Sequence, residues 1–208
     1  MAPKVTQEYK EAVRDSFLDS AEKLFQRKGY YETSIDDVIQ ASGTSKGAIY
    51  GYFESKEALL EGVQEREYVR NLGYGKSILS SQGSMASKLE KLADIYFGSQ
   101  DLLARQRCRL NLELSAASLH MKPIQNKLKN QYDQLQGVLA ILLKEGIKNG
   151  EFRKEINADS IASLMMAVVD GLALRWVITD GDLDWKRIKD ALVDLTLRGI
   201  SVDRHHSR

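Results

Sequence analysis

Apolar residues recur at intervals of three and four along almost the whole chain, the signature of helices that each bury one face. Val13, Phe17, Ala21, Leu24 and Phe25 keep this rhythm and predict a first helix over 5–28, with Arg27 and Lys28 suited to the negative end of its dipole and Gly29 to its stop. Two short helices follow. Ser34 and Asp37 form a capping box, Ile35, Val38 and Ile39 give the second helix an apolar side, and Gly43 ends it. Thr44 and Ser45 can cap a third helix, expected to run about three turns, whose apolar stripe is only Ile49 and Phe53. From Ser55 a long helix is predicted to about residue 80, carrying Leu59, Leu60, Val63, Ile78 and Leu79. Gly73 and Gly75 would weaken it by up to about 1 kcal/mol each relative to alanine, which favours a bend or early end there. The same rhythm gives further helices near 84–99, 101–119, 123–149, 157–179 and 182–202, with Pro123 at a start and Asn149-Gly150 at an end.

A third helix with so narrow a buried stripe is not stable alone, so neighbours must hold it with its other face outward. Opposite Ile49 stand Thr44, Gly47 and Gly51, flanked by Lys46, Ala48 and Tyr50. That face is small, polar and nearly flat. It suits close approach to a sugar-phosphate backbone in the major groove of DNA, which makes the pair of short helices a helix-turn-helix.

The residues Ala21-Glu22-Lys23-Leu24-Phe25, Gly29-Tyr30, Thr33-Ser34-Ile35, Ala41-Ser42-Gly43, Ser45-Lys46-Gly47-Ala48-Ile49-Tyr50, Tyr52-Phe53 and Ser55-Lys56-Glu57-Ala58-Leu59-Leu60 resemble the tetracycline-repressor (TetR) family of transcriptional regulators. The likeness spans the first sixty residues or so, and beyond them it is one of architecture. It implies an all-α protein with an N-terminal three-helix helix-turn-helix DNA-binding domain at 1–55 and a C-terminal helical ligand-binding and dimerisation domain at 56–208. Position by position, Ser34 resembles a phosphate contact, Thr44, Ser45, Lys46 and Gly47 the groove-facing start of the recognition helix, and Tyr50, Tyr52 and Lys56 phosphate clamps. Plain capping also accounts for Ser34, Thr44 and Ser45, and plain packing for the two tyrosines. The chain departs from the family at Gly51, where a larger side chain is common, and at Ser42 and Thr44 in the turn. Lys46 is left as the best candidate for reading a guanine, a contact worth ~1–3 kcal/mol of discrimination, and Lys4 in a short arm is a further candidate for touching DNA.

The helix near 157–179 is apolar almost all round, with one stripe through Ile161, Leu164, Met165, Val168, Leu172 and Trp176 and another through Ala162, Met166, Val169, Ala173 and Val177. Both sides need cover. A second copy of the chain is the expected cover for one, with Ile161, Met165, Val168 and Leu172 meeting Trp185, Ile188, Leu192 and Leu195 of the last helix in a four-helix interface; a purely internal core is the alternative. Asp170 and Arg175, the only charges between Ile161 and Ile178, could pair across the dimer, anchor a polar ligand or face water. The resemblance further implies a homodimeric repressor on a palindromic operator, released by a small apolar or amphipathic effector, for which Glu113, Tyr132 and Trp176 are candidate lining residues. A ligand-independent activator or architectural DNA-binding protein is the other reading.

Composition tempers this picture. With 43% hydrophobic residues and two prolines among 208, the chain is globular and helical in character. Residues 1–60 nevertheless hold eight basic against ten acidic side chains, so bulk charge does not mark a nucleic-acid binder and placement must do so. Neither a long uncharged apolar run nor an apolar leader is present, which leads to the expectation of a cytoplasmic protein with no membrane partner. One cysteine, Cys108, excludes an internal disulfide. His120, His205 and His206 stand at no metal or triad spacing, and Gly73-Tyr74-Gly75-Lys76-Ser77 fails as a phosphate loop because Arg70 replaces its first glycine. No enzyme, metal or cofactor is expected.

Overall fold

Thr6 accepts the Tyr9 N–H on its side chain and starts α1 (Gln7–Lys28), which ends where Gly29 takes a φ of 89°. In the computed structural model, which describes residues 6–98, 102–179 and 183–202, the helices that follow are α2 (Ile35–Ser42), α3 (Lys46–Tyr50), α4 (Lys56–Ser80), α5 (Met85–Phe97), α6 (Leu102–Ser118), α7 (Lys122–Lys148), α8 (Ala158–Ile178) and α9 (Trp185–Ile200). The fold is all-α. Lys4, His205 and His206 lie outside the described residues. Among those described, the one extended pairing is a bridge between Phe152 and Ser201, which ties the α7–α8 loop to the end of α9.

Two expectations about helix length need correction. α3 is a five-residue helix rather than a three-turn one, because the Gly51 and Tyr52 N–H groups bond to Ala48 and Ile49 three residues back and tighten its end into a turn. α4 runs through Gly73 and Gly75 without a break. Gly75 is there for packing: a Cβ on it would stand 3.0 Å from Val138 Cγ1 of α7.

The core divides into three clusters. Phe17, Leu18, Phe25, Val38, Ile49, Phe53, Leu59 and Leu60 fill the N-terminal one, which Leu110 and Leu114 of α6 enter from the other side. This core therefore continues past residue 55 into α4 and takes its last two members from α6. α1 and α4 approach closely at Gly62, where a Cβ would be 2.7 Å from Leu18 Cδ2. A second cluster joins α4, α5, α7, α8 and α9 through Leu89, Leu92, Leu139, Leu142, Leu143, Phe152, Ala162 and Ile200. The third stacks Phe97, Trp176 and Trp185, with ring centroids 5.6 Å and 5.0 Å apart.

α7 and α8 are joined along their seam by polar rungs. Lys144 reaches Asp159 at 2.8 Å, Gln136 reaches Ser163 at 2.9 Å, and the Tyr132 hydroxyl donates to Asp170 at 3.1 Å. The side of α8 turned away from the core is open. Leu164 (62% exposed), Val168, Leu174 and Ile178 (72%) form an uncovered apolar face, and Leu195 of α9 is as exposed. Of the residues expected to meet a second copy, Trp185 is buried in its own subunit, and Ile161, Met165, Leu172 and Leu192 are half-buried against the clusters already named. Of the eight residues anticipated, Val168 and Leu195 are exposed and Ile188 partly so.

Candidate functional site

The reading head is built from its caps upward. Ser34 accepts the Asp37 N–H while the Asp37 carboxylate accepts the Ser34 N–H at 2.8 Å, completing the capping box of α2. The Ser34 N–H and Lys28, 2.9 Å away, hold the Asp37 carboxyl well below the ordinary carboxylate range. Gly43 follows in the left-handed region at φ 67°, which spares the turn the strain a side chain would bring. The Ser42 and Thr44 hydroxyls meet at 2.8 Å, so these two departures from the family pattern stabilise the turn itself. Ser45 then caps α3 by accepting the Ala48 N–H.

α3 is held from behind by Ile49, 1% exposed, and by Phe53, whose ring lies edge-on to Phe17. Its outer side carries Ser45, Lys46, Gly47, Tyr50 and Gly51, all exposed, with Thr44 half-exposed beside them. A Cβ on Gly47 would meet nothing within 4 Å, so no internal contact requires a glycine there and the surface stays flat for an approaching partner. Lys46 pairs with Asp36 at 3.3 Å, both largely in water, a contact of little worth that leaves the ammonium free to exchange partners.

The remaining anticipated DNA contacts are more committed to the fold. Tyr52 is half-buried, its ring 5.7 Å from that of Phe17. Lys56 lies 4.3 Å over the Tyr30 ring and donates to the Tyr31 carbonyl, so it staples the start of α4 to the α1–α2 turn. Tyr30 donates its hydroxyl to Glu57 at 3.0 Å, and burial together with that carboxylate pushes the phenol well above its usual range. Several acids are withdrawn from the reading side: Asp19 and Glu22 face Arg66 of α4, and Asp37 serves its cap.

A cavity of about 50 Å³ lies between α5, α7, α8 and α9, walled by Leu89, Leu92, Leu139, Met165, Met166 and Val169 among others. A smaller one of about 20 Å³ opens toward Asn71 and Tyr74 of α4, and Tyr96 borders both. The three side chains anticipated as ligand lining are not brought together. Trp176 belongs to the aromatic stack, and Tyr132 sits on the α7–α8 seam. Glu113 of α6 faces the reading head: its carboxylate accepts the Tyr30 N–H at 3.0 Å, pairs with Arg109 at 3.1 Å and lies 3.1 Å from where a Cβ on Gly29 would be. Sequence reasoning missed Tyr96, Met165 and Met166 as cavity walls, though their place among otherwise aliphatic stripes was a signal.

Comparison with known proteins accords with this geometry. Residues 17–63 match the family model of bacterial regulatory proteins of the tetR family, and residues 86–200 match that of the C-terminal part of BetI-type transcriptional repressors. The chain is 30% identical over 175 residues to the uncharacterized HTH-type transcriptional regulator YfiR of Bacillus subtilis, with 83% of each chain covered. A putative transcriptional regulator from Saccharomonospora viridis, solved in complex with choline, has a similar fold, with a TM-score of 0.83, 23% identity and coverage of 92% of this chain and 99% of that one. The FadR regulator of Bacillus subtilis, solved in complex with stearoyl-CoA, gives a TM-score of 0.74 at 19% identity, covering 89% and 98%. The chain belongs to the TetR family of DNA-binding transcriptional regulators.

Proposed function

We propose that this regulator is a homodimeric repressor that holds a palindromic operator and lets it go when a small apolar or amphipathic molecule enters the cavity between α5, α7, α8 and α9. The observation that carries the DNA-binding part is the burial pattern of α3 and the turn after it: Ile49 and Phe53 inside, Lys46, Gly47 and Tyr50 outside. Ser34, Thr44 and Ser45 flank that surface, and Tyr52 and Lys56 support it from within the fold. Two such heads related by a two-fold axis require half-sites about one turn of DNA, or a multiple, apart.

The dimer reading rests on α8. By length and composition it is apolar enough to cross a membrane, yet it carries Asp170 and Arg175 and is one wall of a helical domain. A second copy covering Leu164, Val168, Ile178 and Leu195 is the simpler partner for that face. Work on an operator places the protein in the cytoplasm, with no cofactor and no catalytic residue needed.

Release by ligand has a physical route. α6 touches α7 and α8 at one end of its contacts and enters the reading head with Leu110, Leu114 and Glu113 at the other. A molecule that widened the cavity would shift α6 and α4 and alter the spacing of the two heads. The cavity wall is apolar, and at about 50 Å³ the cavity has to widen to admit an effector, since a cavity of roughly 150 Å³ is what accommodates benzene. The test is Ile178→Glu. Sedimentation should show monomers, and operator binding should fall steeply while circular dichroism stays helical; a dimeric variant with full affinity would refute the interface.

A further inference from the structure

We propose that the effector is an uncharged amphiphile that spans both cavities, with its hydrocarbon part in the larger one and its hydrogen-bonding group on Asn71 of α4, and that this contact is what frees the operator. The inference rests on the ligand-responsive reading above and narrows it to one chemical class and one triggering residue.

The two cavities share a partition. Leu92, Tyr96 and Leu139 wall both, so they are neighbouring chambers with three side chains between them. At about 50 Å³ and about 20 Å³ each is smaller than the roughly 150 Å³ that accommodates benzene. Turning the partition aside joins them into one slot, and Met165 and Met166 are the pliant side chains in the wall of the larger chamber.

The walls select against charge. Among the described residues that line either chamber none is ionic. The larger is aliphatic, aromatic and thioether, with Tyr96 and Thr196 its only hydroxyl-bearing members. The smaller gathers the side chains of Asn71, Tyr74 and Tyr96, and among the described residues nothing hydrogen-bonds to the Asn71 amide or to either phenol. Burial, with the charge of Asp170 behind it, pushes the Tyr96 phenol above its ordinary range, so the partition itself disfavours an anion. Asp170 lines neither chamber, and its carboxylate accepts the Tyr132 hydroxyl. An ionic head group drawn into the slot would lose hydration and meet no counter-charge in the wall. A hydroxyl or carbonyl loses less, and the half-buried Asn71 amide, which can donate and accept, replaces the water it gives up.

The smaller chamber is also where occupancy can be felt by the reading head. Asn71, Tyr74 and Gly75 belong to α4, whose first residues hold the α1–α2 turn through Lys56 over the Tyr30 ring and Glu57 on the Tyr30 hydroxyl. A Cβ on Gly75 would stand 3.0 Å from Val138, so α4 and α7 have no slack beside this chamber and an occupant must press them apart. A molecule confined to the larger chamber touches α5, α7, α8 and α9 and leaves α4 alone.

The experiment uses the full-length protein with three ten-carbon probes below their micelle concentrations: 1-decanol, decanoate and decyltrimethylammonium. Calorimetry and thermal shift should show the alcohol binding at least about tenfold more tightly than either ion. Asn71→Leu, which keeps the bulk and removes the amide, should weaken decanol severalfold, leave the ions unchanged and not lower the unliganded Tm. At equal decanol occupancy, wild type should let go of a duplex selected for tight binding and Asn71→Leu should keep it, a difference that a merely structural Asn71 would not produce. Should that variant fail to fold, Asn71→Ala removes the same amide without the branched bulk and should show the same two losses. Either ion binding as tightly as decanol, or an Asn71 variant with wild-type decanol affinity or wild-type release, overturns the proposal and leaves the ligand-responsive reading in place. A wild-type protein that none of the three probes stabilises loses both.

Discussion

Glu113→Ala should cut the tie between the C-terminal helices and the reading head, and its cost can be worked from the contacts. The carboxylate side chain is 20% exposed and accepts one backbone N–H, that of Tyr30, at 3.0 Å. A hydrogen bond of this charge-assisted kind contributes about 1.5–3 kcal/mol. The other arm, to Arg109, whose side chain is 58% exposed, adds only about 0.3 kcal/mol. Removing both and leaving the Tyr30 N–H without its acceptor should therefore cost about 2 kcal/mol, Arg109→Ala about 0.3, and Glu113→Gln, which keeps an acceptor oxygen, about 1. Urea unfolding at one fixed protomer concentration measures all three, since subunit association otherwise moves the midpoint. The same bond spans 83 positions of sequence between α6 and the turn before α2, so Glu113→Ala should also weaken ligand-driven release more than operator affinity itself. A Glu113→Ala protein no less stable than Arg109→Ala would refute the reasoning.

Lys46→Ala should abolish selective operator binding while leaving the dimer folded, because the side chain is exposed and its pairing with Asp36 is weak; gel shifts against specific and random duplexes, alongside thermal melts, read both effects. Gly146→Ala would put a Cβ 2.2 Å from the buried Phe152 ring and should cost at least about 2 kcal/mol by overpacking, seen as a lower urea midpoint with the DNA surface untouched. The carboxyl of Asp37 is depressed in the fold, so its contribution is complete above the ordinary carboxylate range, near pH 4, and fades as pH falls through the lower folded value. The stability gap between wild type and Asp37→Asn should thus be constant from pH 5 to 7 and narrow below about pH 4; a gap that stays unchanged in strong acid contradicts the capping role.

What could be read from residue order was local. The caps at Ser34, Ser45 and Ser55, the left-handed stop at Gly43 and the outward face of α3 depend on residues within one or two turns of each other, and all are found where the pattern placed them. What escaped depended on partners far along the chain. Periodicity shows that α8 is apolar on two sides but not which one its own subunit covers, so Trp185 was assigned outward although Phe97 and Trp176 receive it. Glu113 looked like a pocket residue because nothing near it in sequence reveals Tyr30. Gly75 looked like a weak point because Val138, which needs the space, is on another helix. The shortness of α3 followed from Gly51, whose backbone bonds three residues back instead of four.

The central claim is that the outer side of α3 reads duplex DNA from a symmetric pair of heads. Selecting bound sequences from random duplexes tests it most directly, with wild type and Lys46→Ala run in parallel. Wild type should enrich an inverted repeat whose half-site centres are about one helical turn, or a multiple, apart, and the variant should enrich none. An unpaired site, or the same repeat recovered by both proteins, would contradict it.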